Sequence, residues 1–172
     1  MSTEPAALTY SRYLQVPALL ALQKPLSDGP EHDETLFIVI HQVYELWFKQ
    51  LLHELDALER ALDAGESVQA LATLKRMLTI LKTLVQQVDV LETMTPLSFN
   101  AFRSRLAASS GFQSAQFRLL EFRLGHKRPR LVEHHADDAA AQTRLQAALA
   151  APSLWDHFLR YLAVSGHVVP AT

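Results

Sequence analysis

Phe37 and His41 stand four residues apart in a stretch, His32 to Leu58 (HDETLFIVIHQVYELWFKQLLHELDAL), that contains neither glycine nor proline. On a helix that spacing brings an aromatic ring and an imidazole onto one face. A helix that needs only to pack has no use for an imidazole there. The plainer reading of His41 is a core histidine bonded to a carbonyl or a carboxylate. Arg103 lies among Phe99, Phe102 and Leu106. Its stem is expected to be buried with them, and its planar fork can pair with a neighbouring acid or grip a ligand carboxylate bidentately. Ser109 and Ser110 precede Gly111, but ASSGF lacks the GxSxG elbow and no acid is placed to orient a histidine base. A cap or turn is the simpler role for these serines.

Eight histidines and many carboxylates raise the question of a metal. A di-iron bundle site needs Glu-x-x-His on two helices, and no glutamate here has a histidine three residues on. His53-Glu54 does not continue into HExxH, and Glu133-His134-His135 falls in a polar stretch expected to be solvated. No metal site built from protein ligands alone is expected. The absence of cysteine excludes disulfides, thiolate catalysis and cysteine-ligated metals.

The elements that must position these residues are helical. With 172 residues, 49% of them hydrophobic, only five glycines and no β-type alternation, the chain reads as a single all-α domain spanning 1–172. Within it, residues 1–30 form an N-terminal arm and loop, and 31–172 a helical core. The core is a bundle built on two long antiparallel helices. The first is the His32–Leu58 stretch, with Leu36, Ile40, Val43, Trp47, Leu51, Leu55 and Leu58 as its buried stripe and His41, Tyr44, Glu45 and His53 within or beside it. Asp33 can cap its start, and Glu34 suits its positive first turn. After Asp63-Ala64-Gly65-Glu66, Ser67 can cap the second. There Leu71, Leu74, Leu78, Leu81, Val85 and Val88 form a seam expected to pack on the first helix. Thr95-Pro96 ends it. Shorter helices follow over the Phe99–Leu106 region, from Phe112 to Leu124, from Asp137 to Ala150 along the surface, and after Pro152, with Gly166 as the final cap. Between the second and third of these, Arg123 to Arg130 (RLGHKRPR) reads as a solvated loop.

In the arm, Tyr10 to Gln23 reads as a short helix with Pro17 in its first turn. Tyr10, Tyr13 and Leu14 make an apolar cluster too small to be its own core, so the arm lies on its own domain or on a neighbour. A net charge of −2 recruits neither nucleic acid nor an anionic membrane. MSTEPAALTYSRY lacks the pattern of a signal peptide, and no apolar run approaches the ~20 residues of a membrane span. A cytoplasmic protein is expected.

LFIVIHQVYELWFKQLLHELD resembles the signature helix of the tryptophan 2,3-dioxygenase family, and FRSRLAASSGFQSAQFRLLEF, from Phe102 to Phe122, resembles its second distal-side motif. The resemblance implies a haem b enzyme that opens the indole ring of L-tryptophan with O2, giving N-formyl-kynurenine on the kynurenine pathway. It implies that His41 is the distal histidine that accepts the indole N–H, that Phe37 packs on the indole, and that Arg103 binds the α-carboxylate. Phe99 stands where some members have Tyr, so one hydroxyl contact to that carboxylate is absent. Ser110 and Gly111 would border the haem. Tyr10, Tyr13 and Leu14 would complete the pocket of another subunit in a homotetramer.

Two family motifs are missing: the Trp-Arg-x-Arg-His run that carries the proximal haem ligand, and the Gly-Thr-Gly-Gly-Ser-Ser-Gly loop. LWDHFLRYLAVSGHVVP resembles the family's midpoint, so the resemblance is to the first part of a longer enzyme. Three origins fit this: a shortened dioxygenase, a half-enzyme whose other half is a separate chain, or a short paralogue. The competing function is a non-catalytic helical domain that binds an indole or haem, or serves assembly.

Overall fold

The structure, a computed structural model, describes residues 7–29, 31–106 and 113–169. Among them every regular element is helical. The arm holds two single turns, α1 (Tyr10–Tyr13) and α2 (Val16–Leu19), in place of the one helix expected, because Gln15 between them takes a left-handed backbone, φ 53°. Helix α3 runs from His32 to Asp63, well past Leu58, because Glu59 to Asp63 carry nothing that stops a helix. Asp33 does not cap it. The cap position is Glu31, without a side-chain bond, and Asp33 and Glu34 occupy the first turn.

Helix α4 (Ser67–Leu91) returns antiparallel to α3. Gly65, at φ +73°, permits the tight reversal: its N–H donates to the Leu62 carbonyl at 3.1 Å, and that of Glu66 to Ala61 at 2.8 Å. Glu66, not Ser67, holds the cap position of α4; the Ser67 hydroxyl bonds the Tyr161 hydroxyl at 2.6 Å instead. Cross-contacts fix the direction. The Tyr44 hydroxyl donates to the Leu84 carbonyl at 2.8 Å, and Arg76 pairs with Glu54 at 2.8 Å. Burial pushes the Tyr44 phenol up from its usual pKa.

The face that α4 turns to α3 is not the leucine seam. Ala70, Thr73, Met77, Ile80 and Leu84 are buried, while Leu71, Leu74, Leu78, Val85 and Val88 are exposed. Both stripes step by three and four and lie one residue apart, about 100° around the helix. Ala70 and Thr73 fall beside the tight turn, where the two axes must come close. Their small side chains allow that approach, and leucines there would hold the helices apart.

Around this pair pack α5 (Pro96–Arg103), α6 (Ala115–Arg123), a 3-10 helix (Pro129–His135), α7 (Ala139–Ala150) and α8 (Leu154–Val164). Thr95 caps α5 with Pro96 in its first turn. A reciprocal Ser153–Asp156 box opens α8 just after Pro152, and Gly166 takes φ +86° at its end. The main core joins Leu51, Leu55, Leu58 and Leu62 of α3 to Met77, Ile80 and Leu84 of α4, with Leu120 of α6 and with Phe158 and Tyr161 of α8 at its edge. A smaller cluster of Phe122, Val132, Leu145 and Ala148 binds α6, the 3-10 helix and α7. Thus α7 is not purely a surface helix. His135 is buried beside that cluster instead of solvated, and its Nε2 has no hydrogen-bond partner among the described residues. Arg123 is not solvated either: it is half-buried and pairs with Asp56 at 2.6 Å and Glu59 at 2.5 Å. No helix among the described residues is long and apolar enough to cross a membrane.

Leu55 is fully buried and Leu46, on the same helix, is half exposed. Leu55→Ala is expected to cost about 2–5 kcal/mol, and Leu46→Ala to change stability by less than about 0.5 kcal/mol. Urea midpoints for the two variants measure this directly. Equal losses would mean that the α3 stripe is misplaced.

Candidate functional site

Phe37, Ile38, His41, Gln42 and Glu45 project from the first half of α3 into one wall of an open cleft of about 380 Å³. Leu106, Gln113 and Ser114 contribute from the α5 and α6 side, and Lys24, Leu26 and Glu34 complete the lining. The Phe37 and His41 rings lie 4.0 Å apart, as one helical turn requires. Phe37 also meets Phe99 at 5.9 Å and Phe102 at 5.7 Å, and the latter two pack edge-on at 5.5 Å. Phe102 is fully buried and anchors α5 to α3.

His41 Nδ1 lies 2.7 Å from the carbonyl oxygen of Phe37. A carbonyl only accepts, so Nδ1 carries a proton and donates it, and of the two tautomers this bond selects the one in which Nε2 is the acceptor. The polar residues nearby each meet a different neighbour. Glu45 accepts from the Gln116 amide at 2.7 Å, which braces α6 against α3. His53, by contrast, is exposed and lies on the outer side of the helix.

Arg103 departs from the expectation of a buried stem. It is exposed, with its guanidinium over the Phe99 ring at 5.8 Å from the centroid. It does not line the cleft, and among the described residues it pairs with no carboxylate. Its helix is short and ends at Arg103 itself, so the side chain leaves the last turn outward. Tyr10, Tyr13 and Leu14 stay together on the arm, all exposed and away from the cleft lining of their own chain. Ser110 and Gly111 lie outside the described residues.

The loop expected after the arm forms a strap, Leu22 to Asp28, whose place against α3 the sequence reading did not foresee. It lies across the start of α3 and carries Lys24 and Leu26 into the cleft wall. Glu34, almost fully buried, accepts the Leu26 N–H at 2.6 Å and the Ser27 N–H at 3.1 Å. Arg105 donates to the Leu26 carbonyl at 3.3 Å and to Asp28 at 2.8 Å, and the Gln42 amide to the Leu22 carbonyl at 3.2 Å. Burial works to raise the Glu34 carboxyl, but the bonds from Ser27 and Leu26 and the Arg105 charge outweigh it and hold the group below its usual range. The only signal in the sequence was an acid in a first helical turn, which the helix dipole already explains.

A model of the family described as tryptophan 2,3-dioxygenase matches residues 1–152. The chain belongs to the tryptophan 2,3-dioxygenase family. It is 58% identical over 165 residues to the tryptophan 2,3-dioxygenase of Herpetosiphon aurantiacus, covering 96% of this chain and 63% of that protein. The tryptophan 2,3-dioxygenase of Anaeromyxobacter dehalogenans is 60% identical over 169 residues, with 98% and 63% covered. That of Xanthomonas campestris pv. campestris is 48% identical, with 95% and 55% covered. The chain therefore spans between about 55% and 63% of the length of these relatives.

Glu34 gives a test of the strap. Its lowered carboxyl adds stability that is present above the unfolded glutamate value, about 4.3, and is lost as pH falls through the folded value. Glu34→Gln is expected to be less stable than the parent at neutral pH, and the gap to shrink on acidification below that value. Urea midpoints taken across pH read this out. A gap that does not change with pH would leave Glu34 as packing alone.

Proposed function

We propose that this chain forms the substrate side of a haem-dependent dioxygenase that opens the indole ring of L-tryptophan with O2 to give N-formyl-kynurenine. The observation that carries the proposal is the His41 to Phe37 carbonyl bond of 2.7 Å. It leaves Nε2 as a hydrogen-bond acceptor beside an aromatic wall, which suits an indole N–H above a planar hydrocarbon surface.

Phe37, Ile38, Leu26 and Leu106 give the cleft an apolar lining for the indole and for one face of a haem. The residues fit that face, and they gather no cluster of three metal-binding side chains among the described residues. Haem, when bound, supplies the activation of O2. The remaining work falls to side chains. His41 accepts the indole N–H and orients the ring without needing to be a strong base. Phe37 stacks against the ring. Arg103, whose fork lies over the Phe99 ring, binds the α-carboxylate, with no hydroxyl at position 99 to help it. By the family resemblance, Ser110 and Gly111 would border the haem. Tyr10, Tyr13 and Leu14 close the pocket of a second copy in a homo-oligomer, a role their exposure supports.

Two variants test these roles in the chain loaded with haem, with ligand binding followed beside turnover. His41→Ala should lower the preference for tryptophan over its N1-methyl analogue by a factor of roughly two to ten, since one hydrogen bond is worth roughly 0.5–1.5 kcal/mol, with little change in melting temperature. A mutant that melts far lower while the preference holds would make His41 a packing residue. Arg103→Lys should weaken tryptophan by a factor of roughly ten to a hundred, the loss of a charged partner costing about 1.5–3 kcal/mol. Tryptamine, which has no carboxylate, should not respond. Equal losses for both ligands would remove Arg103 from the site.

A further inference from the structure

We infer that Lys24 of the strap binds a ligand carboxylate in the cleft, an inference that rests on the cleft receiving tryptophan and one face of a haem. Lys24 belongs to neither of the two stretches that resemble the family. Among the described residues, the charged side chains that line the cleft are Lys24, Glu34 and Glu45. The protein itself engages both acids. Glu34 accepts the Leu26 and Ser27 N–H groups and lies in the field of Arg105. Glu45 accepts the Gln116 amide at 2.7 Å. Lys24 has no hydrogen bond or ion pair among the described residues. Its ammonium is therefore the one charge of this lining without a protein partner. Around it the wall is apolar, with Phe37, Ile38, Leu26 and Leu106. Such a cleft suits a ligand that is apolar over most of its surface and carries an acid group. Arg103 does not line the cleft, so an acid group inside it meets Lys24.

The backbone of Lys24 is held on both sides. Before it, the Gln23 amide donates to the Gln42 side chain at 2.5 Å, and the Gln42 amide to the Leu22 carbonyl at 3.2 Å. After it, Leu26 and Ser27 are fastened to Glu34. Glu34 and Gln42 stand eight residues apart on α3, about 12 Å along its axis. Lys24 falls between these two fastenings of the strap, as Phe37 and His41 fall between them on the helix. Pro25 fixes one further backbone angle beside it. Only the lysine side chain must then be ordered when a ligand arrives, which lowers the entropy lost on binding.

Tryptophan carries an α-carboxylate and haem carries propionates, and paired ligands tell the two sources apart. The full-length parent, Lys24→Gln and Lys24→Arg are titrated with haem and with haem dimethyl ester, followed by the Soret band. In the presence of haem they are also titrated with tryptophan and with tryptamine, by calorimetry. Lys24→Gln is expected to weaken haem or tryptophan about tenfold and to leave the counterpart without a carboxylate unchanged. A loss in the first pair identifies a propionate, and a loss in the second the α-carboxylate. Lys24→Arg should keep most of the parent's affinity. Added salt should weaken the parent more than Lys24→Gln, because it screens the contact that the variant lacks. Lys24 is exposed, so the variants should match the parent in helix content by circular dichroism. Equal losses for a ligand and its counterpart, or no loss with any ligand that the parent binds, would overturn the role of Lys24 alone. A parent that binds none of the four would overturn the assignment of the cleft, and the role of Lys24 with it.

Discussion

The molecule depends on one unbroken helix being buried at one end and open at the other. The second half of α3 holds Leu51, Leu55, Leu58 and Leu62 against α4, and its first half presents Phe37, His41 and Glu45 to the cleft. Fourteen residues separate His41 from Leu55, about 21 Å of helix. The α3 stretch contains no proline or glycine at which it could bend. The cleft wall is therefore aimed by burial about four helical turns away, and a change in the core would shift the ring of Phe37 without touching it.

Apolar burial along α3 supplies the stability, but it does not say which neighbour belongs at which level. The polar groups of the helix do that. Glu34 takes the strap, Tyr44 and Glu54 take α4, Glu45 takes α6 through Gln116, Asp56 and Glu59 take Arg123, and Asp63 takes His157 at 2.9 Å. The partners come from four stretches of sequence, the strap, α4, α6 and α8, so the set acts as a register. Exposed pairs among them add little energy. Their value is that a slip of one turn would strand the buried members, Glu34 above all.

The fold was legible wherever a single periodic signal existed. The α3 stripe and the reversal at Gly65 follow from residue type and spacing, whereas α4 stops at Leu91, ahead of the expected Thr95-Pro96, which opens α5. The inward face of α4 was not legible, because two stripes of equal period compete there and the bulkier one attracts the eye. Only the closeness of the axes at the turn, a tertiary fact, prefers Ala70 and Thr73. For the site, the Phe37–His41 pair was readable because one helical turn sets its geometry. The exposure of Arg103 depends on where a short helix ends, and the burial of Glu34 and His135 depends on segments distant in sequence or on irregular backbone. None of those leaves a local pattern.

Gln23 bonds Gln42 at 2.5 Å, and Gln42 is the residue after His41. The arm is thus a tether whose fixed end sits beside the cleft of its own chain. Tyr10 lies thirteen residues from that anchor, a contour length of at most about 45 Å if fully extended, and shorter while α1 and α2 keep their turns. Any copy whose cleft receives this tyrosine must hold that cleft within the same radius of the donor's own. The length of a loop thereby sets the largest spacing at which two such molecules can share their arms.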